Sequence, residues 1–522
     1  MKVRLLLGPL ASIALLPAAA HAEWQEASSR HFVVYSDDKP ENVRAFTERL
    51  EKFDSAIRQL RMAPEDRRGK SARVTVFVLN NIPEIEKLSG QSNVAGFYIP
   101  RASGSVAFTP RSGGAGTDYG MTPQVVLFHE YAHHWMLSNW TDAAFPPWFV
   151  EGFAEFHATA RFTSDGGVMF GAPPTYRGYT VSRLNLLPMS RLLRFDPGKL
   201  DPEARDALYS RGWALTHYLT FDPERRKRLA DYIVAINSHK SAEEAATALG
   251  NVSGLDLTLS NYVKRSLPAI TIPASQLTVG EIKLRQLTPG EAAVMPARIV
   301  STRAVTDKTA PGVAELARRL AAPFPSDPGA QNELAEAEFD AKNYAASEAA
   351  ADRVIAADPS SVHGLIYKGK AQIEQLLAAK VTDAAKWQEA RGWLIKANKA
   401  DTEDPYPLVE YYLSFLAAKE TPPKSADGAL LYAYALAPYD TDLRLLAANV
   451  YLQQGKAADA RVALGPPAYS IEDGRSEFAG KVLDALDQGG TEAALAILKK
   501  DRDEAKDKKS DDGKDGKEKG KG

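Results

Sequence analysis

Two short segments constrain this chain more than any other part of it: Val126–Trp135, VLFHEYAHHW, and Pro146–Phe156, PPWFVEGFAEF. Each sets ionisable side chains one helical turn apart in an otherwise apolar run. His129 and His133 are four residues apart, and four residues advance about 400° round an α-helix, so both imidazoles leave the same face. Thr122 followed by Pro123 suits the start of the first helix, and Pro147 suits the start of the second, which should run to about Ala160. A helix, a tight connection and a returning helix then bring Glu151 to the open side of the two imidazoles. Glu155, one turn beyond Glu151, can accept the free ring N–H of a ligand histidine.

This pattern predicts a metal centre held by His129, His133 and Glu151, with water completing the set. The chain has no cysteine, which leaves imidazole and carboxylate as its only good ligands for zinc. Such a set is more typical of catalytic than of structural sites, and one Zn2+ per chain is the expectation. Glu130, next to His129, can sit beside the metal-bound water and act as general base. His134 lies about 140° round the helix from His129 and is expected to pack or hydrogen-bond, as are His31, His157 and His217.

HEYAH followed by E-G-F-A-E resembles the gluzincin metallopeptidases, and Trp148–Glu155 fits the W-x-x-E-G-x-A-E form of exported gluzincin-like domains. The resemblance implies an α+β zincin-like catalytic domain that hydrolyses peptide bonds. Positions 136 and 139 are Met136 and Asn139, so the metzincin pattern fails. Tyr209 to Leu215, YSRGWAL, is similar to the stretch in which zinc aminopeptidases place a tyrosine over the oxyanion. That resemblance makes Tyr209 the candidate stabiliser, with Arg211 standing where those enzymes have lysine. A Gly-x-Met-Glu-Asn element is absent before His129, so exopeptidase action loses support. Ser105 to Phe108 reads either as an edge strand able to pair with a peptide or as an ordinary strand.

With 522 residues, the chain has room for two to four domains, and a hydrophobic share of 44% gives each a core. Residues 1–22 carry Lys2 and Arg4, an apolar run from Leu5 to Leu16, and Ala20-His21-Ala22, which together read as a secretory signal. Export to the periplasm or the exterior, with a mature start near Glu23, is expected. The apolar run falls short of the roughly 20 residues a bilayer needs, so no membrane span is expected. A formal net charge of −2 offers no attraction to nucleic acid.

After the signal, HFVVYS and RVTVFVL flank a helical-period stretch from Pro40 to Met62, so the 23–267 domain opens β-α-β. Two further strands, Gly96–Ile99 and Ser105–Phe108, precede a loop with Gly113, Gly114 and Gly116, and helices are expected at Glu203–Phe221 and Pro223–Asn237. Residues 268–310 read as a linker or a small β element. Residues 311–498 are Ala-rich helical hairpins that resemble tetratricopeptide repeats, an all-α solenoid for protein interaction. In that pattern Ala335, Tyr344, Ser347 and Pro359 recur loosely as Ala426, Leu430, Ala433 and Pro438, Leu445–Ala463 looks like another copy, and Ser361–Pro405 needs an insertion. The Lys/Asp/Glu run 499–522 should be disordered. Three functions compete: a zinc peptidase acting on peptide or protein, a zinc-binding adaptor working through its repeats, and a zinc hydrolase of some non-peptide amide.

Overall fold

The computed structural model describes residues 23–518, apart from 66–68, 93, 112–120, 182–186, 195–199, 239 and 471–473. The signal-like segment 1–22, the glycine loop near Gly113 and residues 519–522 lie outside the described residues. Nine strands are present among the described residues: β1 (Gln25–Ser28), β2 (Phe32–Ser36), β3 (Val74–Leu79), β4 (Phe97–Ile99), β5 (Val106–Pro110), β6 (Arg161–Phe162), β7 (Val168–Phe170), β8 (Ile270–Ile272) and β9 (Lys283–Gln286). The main sheet runs in the order β4-β5-β3-β2-β1-β9, and β6, β7 and β8 form a smaller antiparallel one.

The central strands β2, β3 and β5 are parallel and covered on both faces, as apolar runs of this kind require. Alternation sorts their side chains. Phe32, Val34, Val74, Val76 and Ala107 join the core under the helix Pro40–Arg61, while Val33, Tyr35, Phe77, Val106 and Phe108 face the other way. That second face is closed by Ile85, Leu287 and Met295. The helix Pro40–Arg61 is the β-α-β crossover, and it buries Val43, Leu50, Phe53 and Ile57 at the predicted spacing.

Two assignments that the sequence leaves open are resolved. Val106–Pro110 is no edge: it pairs with β3 on one side and β4 on the other, so the edge strand on that side is Phe97–Ile99, with β9 at the opposite edge. Residues 268–310 take the β reading and more, since β8 joins β7, β9 extends the main sheet beyond β1, and Pro289–Arg303 is a helix.

From Pro289–Arg303 onward the chain is an array of helices ending with the segment Ser476–Glu518, which breaks into two helices at Gly490, φ 74°. Helices adjacent in the chain pack against one another throughout. Small residues let the helices approach: Ala335, Ala350, Ala351, Ala426 and Ala433 are fully buried. The Ser347 hydroxyl donates to the Ala335 carbonyl at 2.7 Å across one hairpin. A left-handed backbone residue recurs at the hairpin turns, at Lys342, Lys380, Lys419 and Gly455. Those spacings are slightly longer than the 34 residues of the tetratricopeptide unit. The insertion within 361–405 is absorbed by lengthened helices, Val362–Ala378 and Ala384–Ala400, of 17 residues each. Helical backbone continues into the charged tail as far as Glu518, where composition predicts disorder, in a run rich in Lys, Asp and Glu that also carries Gly513 and Gly516. No described helix is long and apolar enough to cross a membrane.

Candidate metal centre

The helix Pro123–Asn139 is capped by the Thr122 hydroxyl, which accepts from the Val125 N–H at 3.3 Å. Its buried face is tied to the crossover helix: Phe128 stacks on Phe53 with ring centroids 3.8 Å apart, and the Tyr131 hydroxyl donates to Asp54 at 2.8 Å. The returning helix Pro147–Ala158 carries Glu151 and Glu155. It crosses the helix Pro202–Thr220 so closely that a Cβ on Gly152 would lie 2.3 Å from the Gly212 carbonyl oxygen. The glycine between the two glutamates is thus what lets their helix seat.

His129, His133 and Glu151 are brought together. Glu151 Oε2 lies 3.3 Å from His129 Nε2 and 3.4 Å from His133 Nε2, and the two imidazole nitrogens are 3.1 Å apart. Three ligands about 2.0–2.1 Å from a tetrahedral zinc stand about 3.3–3.4 Å from one another. Two of the three separations match that spacing and the third is shorter, so the three groups could hold one metal ion. Glu151 Oε2 is buried and faces the Nε2 atoms of both imidazoles at the long end of hydrogen-bond range. Burial pushes the Glu151 carboxyl up, but the His133 and His129 imidazoles outweigh it and hold it at about 2. Burial lowers His129, yet Glu151 and Glu155 together raise it above its ordinary value. Both shifts arise from the pairing of the carboxylates with the imidazoles.

Glu155 sits 3.5 Å from His129 Nδ1, on the side of the ring away from Glu151. It is held there by two residues that sequence reasoning missed. The Tyr176 hydroxyl donates to Glu155 Oε2 at 2.7 Å, and Arg177 donates to Oε1 from Nε at 2.9 Å and from its terminal nitrogen at 2.7 Å. Arg177 also bonds Asp206 at 2.6 Å. These contacts fix the carboxylate that orients the His129 ring.

Glu130, half-buried, lines a cleft of about 570 Å³ together with His133 and Glu151. Tyr209 is placed differently. Its ring lies 6.0 Å from that of His129 and under the Arg177 guanidinium at 4.4 Å, and it is not among the residues lining this cleft. His134 points away from the metal ligands, its Nδ1 2.7 Å from the Tyr98 hydroxyl. His31 pairs with Glu51 at 2.8 Å. His157 lies between the Phe153 carbonyl and Arg61, and His217 between the Gly171 carbonyl and the Tyr262 hydroxyl.

No family model matches the chain, and no curated protein matches it. Among solved structures it is similar to TTC0263, a thermophilic TPR protein of Thermus thermophilus, at 16% identity and a TM-score of 0.30, covering 40% of this chain and 99% of that one. It is also similar to PilF of Pseudomonas aeruginosa at 17% identity and a TM-score of 0.31, covering 40% and 88%.

Proposed function

We propose that this chain is a zinc-dependent hydrolase of peptide bonds, of the gluzincin type, exported by its signal-like segment to the periplasm or the exterior. The observation that supports the reading most is the convergence of the His129, His133 and Glu151 donor atoms, 3.1–3.4 Å apart, with Glu130 beside them in a cleft. Zinc held by those residues would supply Lewis acidity and lower the pKa of a coordinated water to about 7. Glu130 accepts the proton of the attacking water and passes it to the departing amine. Glu155, clamped by Tyr176 and Arg177, keeps the His129 ring turned so that Nε2 faces the centre. The position of Tyr209 against His129, outside the cleft wall, leaves its oxyanion role to a movement of the side chain on substrate binding.

A second reading, a zinc-binding adaptor with no useful turnover, draws on the hairpin array, since stacked repeats present extended surfaces to protein partners. The two part at Glu130→Gln, which keeps shape and removes the base. The peptidase reading predicts zinc near one equivalent per chain and peptide cleavage down by on the order of 10²–10⁴-fold. Equal cleavage by both proteins would sink it, and zinc binding plus partner capture without cleavage by either would favour the adaptor.

A further inference from the structure

We infer that Arg101 is an internal latch: it occupies an acidic face of the helical array in the place of a basic partner, so the array can take a guanidinium-bearing segment of another protein only by releasing Arg101 and, with it, one wall of the metal cleft. The inference stands apart from the peptidase reading, since it concerns what the array recognises and not what the metal site does.

Residues 98–102 leave the edge strand β4 and run between the sheet unit and the array. Tyr98, Ile99, Pro100 and Arg101 line the cleft above Glu130 and His133, which Tyr439 and Asp440 of the array line as well. The Ala102 N–H donates to Asp440 Oδ2 at 2.6 Å, and the Ala102 side chain packs in the array's apolar core. Arg101 reaches further. One of its terminal nitrogens donates to the Thr302 carbonyl, at the end of the helix Pro289–Arg303. Burial pushes its guanidinium down, and Glu336, Tyr367, Tyr406 and Asp440 oppose that push. With Thr302, these residues belong to or cap alternate helices of the array: Pro289–Arg303, Pro328–Asp340, Val362–Ala378, Tyr406–Ala417 and Thr441–Gln453. One side chain of the sheet unit thus stands where five helices converge.

That face is built for a cation. Glu333, Glu336 and Asp340 follow one another at three- and four-residue steps along a single helix. The cations nearest them are already engaged. His363 Nε2 lies 3.1 Å from Glu336, Lys370 bonds the Tyr406 hydroxyl and lies 3.1 Å from Glu410, and Arg298 donates to the Tyr35 hydroxyl at 3.3 Å. Carboxylates stay in surplus. Burial and then Glu336 push Asp340 up to about 6, and burial with Glu336 and Asp340 pushes Glu333 well up against the pull of Arg298. Glu333 is 4% exposed, and its Oε1 has no hydrogen-bond partner. A guanidinium brings five donors on a rigid fork to such a surface. Arg101 fills the role incompletely, because its Nε is buried and unbonded, so a better-fitting arginine can compete with it. Other contacts, such as Arg303 with the Ser89 carbonyl at 2.8 Å, join array and sheet unit elsewhere, so release of Arg101 frees residues 98–102 without parting the two.

The test uses the full chain and two fluorescein-labelled nonapeptides added in trans: FYIPRASGS, which repeats residues 97–105, and its twin with alanine for arginine. Hydrogen exchange across residues 97–105 should be faster in Arg101→Ala by at least about tenfold, the least that loss of a hydrogen bond to a charged group brings. Arg101→Lys, which keeps the charge without the fork, should fall between. By anisotropy, the arginine peptide should bind Arg101→Ala at least about tenfold more tightly than it binds the parent chain, and the alanine twin should not show this gain. Where Arg101→Ala does not fold, Glu336→Gln, which thins the charge from the array side, should speed the same exchange. Equal binding of the arginine peptide to parent and variant would show the face already open. Binding to neither would show that it does not recognise a guanidinium, and unchanged exchange would show that Arg101 latches nothing; each of these overturns the inference.

Discussion

At Gly152 a single hydrogen atom decides whether two helices can touch. An added methyl would stand 2.3 Å from the Gly212 carbonyl oxygen and 2.5 Å from the Thr216 hydroxyl, so Gly152→Ala must part the helices that carry Glu151 and Tyr209. Overpacking of this kind costs about 1–3 kcal/mol; we expect a loss of that size in denaturant unfolding, with weaker zinc retention against a chelator. Unchanged stability would show that the crossing relaxes freely. His217 sets a second residue-level expectation. Burial lowers its pKa from 6.5 to about 4, against support from the Gly171 and Pro268 carbonyls. The unfolded chain therefore takes up a proton that the folded chain refuses, so this contribution is whole above pH 6.5, falls as pH drops and levels off below about 4. About 3 kcal/mol is at stake, and His217→Gln should flatten that part of the stability–pH curve. Helical periodicity sets His129 over His133 and Glu151 over Glu155 within their own helices, and the short connection between the two helices made their convergence legible. Tyr176 and Arg177 were not, because they reach Glu155 from the 3-10 turn Thr175–Arg177, which has no periodic pattern.

Among the elements, β2, β3 and the crossover helix follow directly from apolar runs and helical spacing. Strand order does not, because β4 and β5 are both short and apolar, and only pairing with β3 decides which is interior. The same holds for β9, whose Lys283–Gln286 sequence looks like a solvated linker and becomes a strand by meeting β1. In the array, the hairpin turns place Lys380 at φ 52° and Lys419 at φ 59°, a left-handed backbone that costs an L-residue roughly 1–2 kcal/mol. The equivalent turn at Gly455 avoids that cost. Lys380→Gly should therefore raise the array's stability by up to about 1 kcal/mol, net of the entropy glycine adds to the unfolded chain. A lower thermal midpoint for the variant would mean that the lysine side chain contributes contacts outweighing its backbone strain.

Across the whole molecule, sheet unit and helical array share a cleft. The sequence reads the array as a solenoid for protein interaction and points to no contact with residues 23–267, because contacts such as Tyr439 with His134 and Asp440 with Ala102 join residues far apart in the chain and leave no local signature. The apolar junction behind them extends the array's core to Ala102 and Leu137 of the sheet unit. The hydrolysis proposed for that cleft depends on a metal ion at its floor. The most direct test is metal analysis and X-ray absorption on the mature protein after dialysis against zinc. The account predicts one equivalent per chain, bound by two imidazole nitrogens and carboxylate or water oxygens at about 2.0–2.1 Å, and lost in both His129→Ala and Glu151→Ala. Full zinc in either variant, or none in the parent protein, would contradict it.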